Sequence, residues 1–145
     1  KHTLEINLFG SVYLIKKLLP SFKKNNFGRI IQISGGGATS PFPFQTAYAA
    51  SKAGLEALVR VGAQEFSRAG VMINGVAPGV TETDMTEQVM EFVKGSKKGD
   101  GLFDRIAMRR TAKPEEIANF LFSLSQEEIT YITGQTFNID GGYML

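Results

Sequence analysis

The chain has 145 residues, 43% of them hydrophobic and 21% charged, with a formal net charge of +2, values that suit one compact globular domain. It contains no cysteine and a single histidine, His2, which excludes thiol catalysis, disulfides, cysteine-based metal sites, a histidine triad and a multi-histidine zinc site. Acid–base work therefore falls to tyrosine, lysine, aspartate or glutamate, and the lack of cysteine fits a reducing compartment such as the cytoplasm.

The pairs Lys23-Lys24 and Lys97-Lys98 are isolated and read as solvated faces, not as a stripe for nucleic acid. No apolar stretch approaches the ~20 residues of a membrane helix, and no secretory leader is visible. The first residue is Lys1 and the text enters a helical pattern with no opening strand, so the chain is expected to start mid-domain.

Residues 3–24 read as a helix, with Leu4, Leu8, Val12, Ile15, Leu19 and Phe22 recurring at three- and four-residue steps. Pro20 is expected to kink it or tighten its end, and Gly28 to stop it. Residues 29–33 form a short apolar run suited to a buried strand, followed at 34–43 by a loop rich in glycine, serine and proline. A second helix is predicted from about Thr46 to Arg68. Ala49, Ala50, Ala53, Gly54 and Ala57 give it a small-sided face expected to pack closely on a sheet or another helix.

Gly70 ends that helix and 71–76 reads as a second strand, broken by Pro78-Gly79. Residues 80–112 are polar and weakly periodic, with a short helix predicted near 84–94. Pro114 suits the first turn of a third helix, beside Glu115 and Glu116, and Ile117, Phe120, Leu121 and Leu124 form its apolar stripe. A last strand is predicted over 135–139, closed by Asp140-Gly141-Gly142. The order helix–strand–helix–strand–helix–strand implies an α/β fold with parallel strands and crossover helices.

Tyr48-Ala49-Ala50-Ser51-Lys52 puts a phenol and an ammonium four residues apart on one helix face. A phenol with a pKa near ~10 is a poor base at neutral pH. Lowering it by ~3 units takes roughly 4 kcal/mol, about what a lysine charge ~4 Å away supplies at an effective dielectric of ~20. Tyr13 and Lys17 repeat the spacing in the first helix and read as an ordinary amphipathic pair, the tyrosine packed and the lysine in water. Tyr48, by contrast, follows a buried strand and a glycine-rich loop, and in open α/β sheets sites lie beyond the carboxyl ends of strands.

Four linked segments carry a resemblance: Arg29-Ile-Ile-Gln-Ile-Ser34; Tyr48-Ala-Ala-Ser-Lys52-Ala-Gly54; Ile73-Asn-Gly-Val-Ala-Pro78-Gly79-Val-Thr-Glu-Thr83-Asp-Met85; and Thr133-Gly-Gln-Thr-Phe-Asn-Ile-Asp140-Gly141-Gly142. In order and spacing the chain resembles the C-terminal half of a short-chain dehydrogenase/reductase, of the short form that includes 3-oxoacyl-carrier-protein reductases. The resemblance implies one partial domain over 1–145, a Rossmann-like parallel sheet with flanking helices, incomplete. It implies an NAD- or NADP-dependent oxidoreductase that interconverts a carbonyl and a secondary alcohol of a small-molecule substrate, and a homo-oligomer, dimer or tetramer.

By the same resemblance Tyr48 is the general acid/base. Lys52 lowers its pKa and holds the nicotinamide ribose hydroxyls, and Asn7, in Asn7-Leu-Phe-Gly10, anchors a water in the proton relay. Pro78-Gly79 forms the turn over the nicotinamide, Thr81 (through its backbone) and Thr83 (through its hydroxyl) contact carboxamide and phosphates, and 84–110 is the substrate loop. Phe9, Tyr13, Phe66 and the small-sided face are candidates for subunit contact or simply for core. Asn74 is assigned to structure, Asp140 and its glycines to a C-terminal turn, and Glu82, Asp84 and Glu87 to solvent, with no metal.

The sequence departs from the family in two places. The family's serine thirteen residues before the tyrosine is here Gly35, and the nearest serine is Ser34. Three readings stay open: Ser34 reaches the substrate by a different bend of Gly35-Gly36-Gly37; a backbone N–H of those glycines polarises the carbonyl; or the chain is a non-catalytic binding or scaffold protein, or an inactive fragment. The glycine-rich turn that cradles a dinucleotide pyrophosphate is also missing, so the isolated chain is expected to bind nicotinamide cofactors weakly or not at all.

Overall fold

The computed structural model describes residues 1–41, 43–84, 86–87 and 103–143. Most of the substrate loop expected at 84–110, and of the short helix expected near 84–94, lies outside the described residues. Within 84–110, Asp84, Thr86, Glu87, Phe103 and Asp104 are helical.

The first helical rod, α1, runs through His2–Leu4, a π-helical turn at Glu5–Phe9 and Gly10–Asn25. It continues through Pro20 rather than ending there. Pro20 and Lys16 are both exposed, so the break in the hydrogen-bond ladder falls on the outer side of the rod. Asn26, in the left-handed conformation, closes the rod with its N–H on Phe22 and Lys23.

Three parallel strands follow: β1 (Gly28–Ile33), β2 (Val71–Pro78) and β3 (Thr136–Ile139), ordered β1-β2-β3. Between them lie α2 (Thr46–Phe66) and α3 (Pro114–Ser125). β1 runs in register from Gly28 beside Val71 to Ile33 beside Val76, and β3 from Thr136 beside Gly75 to Ile139 beside Pro78. Gly70 sits at φ +71, and a Cβ on it would lie 2.1 Å from the Asn26 carbonyl oxygen; only glycine fits where the turns before β1 and β2 meet.

β2 is buried on both faces, which accounts for its near-continuous apolar run. Val71 and Ile73 point to the layer of α1 and α2, where they join Ile15, Ile30 and Val59. Val76, of opposite parity in the pleat, points to α3 and meets Ile117 and Leu124. The strand extends through Pro78, two residues beyond the predicted end, because an unbroken register with β3 reaches that far.

The small-sided face of α2 behaves differently from expectation. Gly54 does take close contact, since a Cβ there would lie 2.9 Å from a methyl of Leu8 on α1. Ala50, Ala53 and Ala57, however, are exposed, and Ser51, Leu55, Val59, Gly62 and Ala63 face the core. Phe66 belongs to that core, whereas Phe9 and Tyr13 are exposed.

Asn74 is structural, as its burial requires: its amide donates to the Ile132 carbonyl (2.8 Å) and its oxygen accepts the Gln135 N–H (3.1 Å), fastening β2 to the approach to β3. Asp140 accepts the Gly142 N–H at 2.9 Å and so shapes the turn after β3. Ile73 is fully buried where α1, α2 and the sheet meet. Ile73→Ala in the full-length protein is expected to cost ~2–5 kcal/mol, seen as a lower urea midpoint with an unchanged slope.

Candidate active site

All three strands run the same way, so their carboxyl ends gather at one edge of the sheet, with Ser34, Gly79 and Asp140 first in the loops beyond. An open cleft of about 820 Å³ lies there. Of the sequence-predicted site residues, Tyr48, Lys52, Ser34, Pro78, Gly79, Thr81 and Thr83 line it, and Asn7 does not. Tyr13, the decoy, is 69% exposed on α1 and lies outside the cleft; its ring is not packed as the amphipathic reading expected.

Tyr48 sits in the first turn of α2 and is 36% exposed. Its ring lies against the glycine loop after β1. A Cβ on Gly37 would lie 2.5 Å from ring carbon Cε1, and a Cβ on Gly35 would lie 3.1 Å from the phenol oxygen. Gly37 must therefore lack a side chain for the ring to seat, and position 35 is the one that faces the hydroxyl.

One turn later on α2, the Lys52 ammonium donates to the Ile33 carbonyl at 2.9 Å and stands 5.5 Å from the centre of the Tyr48 ring. Burial pushes the Tyr48 phenol above its ordinary value and the Lys52 ammonium below its own. The expected lowering of the phenol by Lys52 is thus not realised here: the charge is drawn to the end of β1, and desolvation dominates.

Ser34 is 4% exposed, and its hydroxyl donates to Glu56 Oε1 at 2.9 Å. A hydroxyl has one proton to give, and this one goes to α2 and not toward Tyr48. Of the two positions weighed from sequence, position 35 and not 34 addresses the phenol. Glu56 was missed, although the spacing 48, 52, 56 along one helix face carried the signal.

Asn7 lies in the π-helical turn of α1, and its amide donates to Ser51 Oγ at 3.2 Å. The fully buried Ser51 in turn donates to the Tyr48 carbonyl at 2.6 Å. Asn7 is therefore tied to the turn that carries Tyr48. Ser51 was overlooked although it stands inside the tyrosine–lysine motif.

After β2, the Thr81 hydroxyl donates to the Gly79 carbonyl at 3.1 Å, and the Thr83 N–H donates to Thr86 Oγ1 at 2.9 Å. A Cβ on Gly79 would lie 2.6 Å from the Asp140 Cα, so the turns after β2 and β3 touch. Glu82 accepts the Thr111 hydroxyl at 2.6 Å instead of facing only solvent; Asp84 and Glu87 are exposed. Among the described residues no group of three histidine, aspartate or glutamate side chains could hold a metal ion, and no helix is long and apolar enough to cross a membrane.

Comparison with known proteins adds to this geometry. Residues 1–144 match the family described as enoyl-(acyl carrier protein) reductase. A 3-oxoacyl-(acyl-carrier-protein) reductase of Thermotoga maritima is 35% identical over 142 residues, covering 98% of this chain and 56% of that protein. A solved short chain dehydrogenase/reductase family protein superposes with a TM-score of 0.83 at 33% identity, over 96% of this chain and 55% of its own. The structure of ElxO with NADP bound gives a TM-score of 0.84 at 29% identity, over 94% and 54%. The chain thus spans about half the length of the relatives it matches.

The seat of the ring carries its own test. Gly37→Ala drives a methyl into the Tyr48 ring and is expected to displace it, with changed ring-proton shifts for Tyr48 in NMR spectra and little change at Ile73.

Proposed function

The chain belongs to the short-chain dehydrogenase/reductase family, and on that premise we propose that the full-length protein is an NAD- or NADP-dependent oxidoreductase that interconverts a carbonyl and a secondary alcohol on a small molecule. One observation carries the reading: Tyr48 and Lys52, a turn apart on α2, both line a cleft beyond the carboxyl ends of β1 and β2.

The residues present fit the nicotinamide end of a dinucleotide. The cleft falls within the ~300–1,000 Å³ typical of ligand sites; it offers one ammonium, the hydroxyls of Thr81 and Thr83, and the side-chain-free approach of Gly79. Lys52 would hold the ribose hydroxyls, Pro78-Gly79 would cover the nicotinamide, and Thr81 and Thr83 would meet the carboxamide and phosphates. When bound, the nicotinamide supplies or accepts the hydride.

The chain's own work is proton transfer. With its pKa raised by burial, the Tyr48 phenol is protonated at neutral pH and suited to give its proton to the oxygen of a carbonyl being reduced. In the reverse direction it must first lose that proton. Asn7, through Ser51, steadies the Tyr48 turn and is the proposed anchor for a relay water. Exposed Ile6, Phe9, Tyr13, Leu14 and Leu18 along α1 support a homo-oligomer in which this face meets a second copy, and the cytoplasm is the proposed compartment.

In the full-length protein, Tyr48→Phe is expected to lower kcat by ~10²–10⁴-fold with KM little changed, in steady-state assays across alcohols, sugars and 3-oxoacyl thioesters. Alcohol oxidation should quicken as pH rises, because the phenolate is the base, and carbonyl reduction should slow over the same range; a flat profile in both directions would remove the phenol from the chemistry. Gly35 sits at φ +158, and a Cβ there would lie 3.1 Å from the phenol oxygen, so Gly35→Ser strains the loop and crowds the phenol and is expected to lower carbonyl reduction about tenfold. The non-catalytic reading rests on Gly35, and the absence of turnover in the native protein across these substrates would favour it.

A further inference from the structure

Tyr48, Lys52 and Glu56 follow one another at four-residue steps on α2, and each meets the end of β1. The Tyr48 ring lies against Gly35 and Gly37, Lys52 donates to the Ile33 carbonyl at 2.9 Å, and Glu56 accepts from Ser34 at 2.9 Å. Three consecutive residues, Ile33, Ser34 and Gly35, are thus read in turn by three rungs of one helix. The Glu56 side chain is only 15% exposed, and its second oxygen stands 4.0 Å from the exposed Arg60 guanidinium. The Ser34 N–H is bonded to the Val76 carbonyl at 2.7 Å, so this residue joins β2, β1 and α2 at one point.

We propose that Glu56 is a positioning residue for the Tyr48 site and acts through Ser34. This rests on the oxidoreductase reading above. Of the two polar bonds between α2 and the end of β1, one uses the Lys52 ammonium, whose remaining N–H donors would serve a ligand hydroxyl. The other, Ser34 to Glu56, turns the hydroxyl of a cleft-lining residue to a carboxylate on α2 that does not line the cleft. It keeps the strand end fixed against α2 whichever partner Lys52 has, and so keeps Gly35 under the phenol oxygen. A carboxylate acceptor makes this a strong bond, and a shift of the seat by about 1 Å would misalign the proton donor with the reacting oxygen.

The test uses the full-length protein and the variants Ser34→Ala, Glu56→Ala, Glu56→Gln, the double alanine variant and Tyr48→Phe. Ser34→Ala and Glu56→Ala are each expected to lower kcat roughly tenfold with KM for the carbonyl substrate little changed. The double variant should fall no further than the worse single one, because both remove the same bond. Glu56→Gln, whose amide oxygen still accepts from Ser34, should recover most of the loss, which a general loss of packing or charge would not produce. Ser34→Ala is nearly isosteric and keeps the test decisive if Glu56→Ala fails to fold. Native kcat in Ser34→Ala, independent losses in the double variant, or Glu56→Gln as slow as Glu56→Ala would each overturn the proposal. Those outcomes alongside a crippled Tyr48→Phe would overturn the positioning role alone; an active Tyr48→Phe would remove the phenol from the chemistry, and a native protein without turnover would bring down the oxidoreductase reading itself.

Discussion

The burial of β2 on both faces is the constraint from which the rest follows. A strand that sends Val71 and Ile73 to one layer and Val76 to the other cannot sit at a surface. It needs helices above and below and a strand at each side, and parallel neighbours joined by crossover helices meet that need. Parallel order then delivers three loop starts to a single edge. The cleft is a by-product of that arrangement: Ser34, Gly79 and Asp140 arrive together because β1, β2 and β3 all point one way.

On that frame α2 does two jobs with two faces. One, made of Leu55, Val59, Gly62 and Ala63, is apolar and packs on the core. The other, at 48, 52 and 56, is polar and lies across the end of β1. Both faces are needed, since the apolar one sets the height of the helix over the sheet and the polar one then meets backbone and side-chain atoms at fixed points. The glycines of the loop after β1 complement the helix: the phenol ring occupies space that side chains at 35 and 37 would fill.

Much of this was legible in the sequence, and the reasons are local. The strands at 28–33 and 71–78 announce themselves by β-branched apolar runs, α3 by Pro114 with its following acids, and the site by a phenol and an ammonium one helical turn apart beyond a strand. The family was legible because four motifs fall in order. What escaped depends on direction in space. The sequence offers Ser34 and Gly35 as neighbours, and only the folded loop decides that one meets Glu56 and the other meets Tyr48. Burial of the phenol outweighing the lysine charge is a matter of desolvation, which spacing does not reveal. The exposed alanines of α2 likewise look like a packing face until the helix is rotated into place, and the run through Pro20 depends on which side of α1 meets water.

The meeting of Gly70 with Asn26, at the far end of the sheet from the cleft, governs more than the turn it sits in. It fastens the corner entering β1 to the corner entering β2, and the Gly28 N–H on the Gly70 carbonyl closes the same corner. A slip of β1 by one residue past β2 would move the loop glycines by ~3.3 Å and turn every side chain over, carrying Ser34 to the place of Gly35 or, in the other direction, Gly35 to that of Ser34. The alignment of the chemistry is therefore indexed from the opposite end of the strands, ~20 Å away at six residues of rise. The sheet acts as a ruler whose zero mark is a glycine that touches nothing in the cleft.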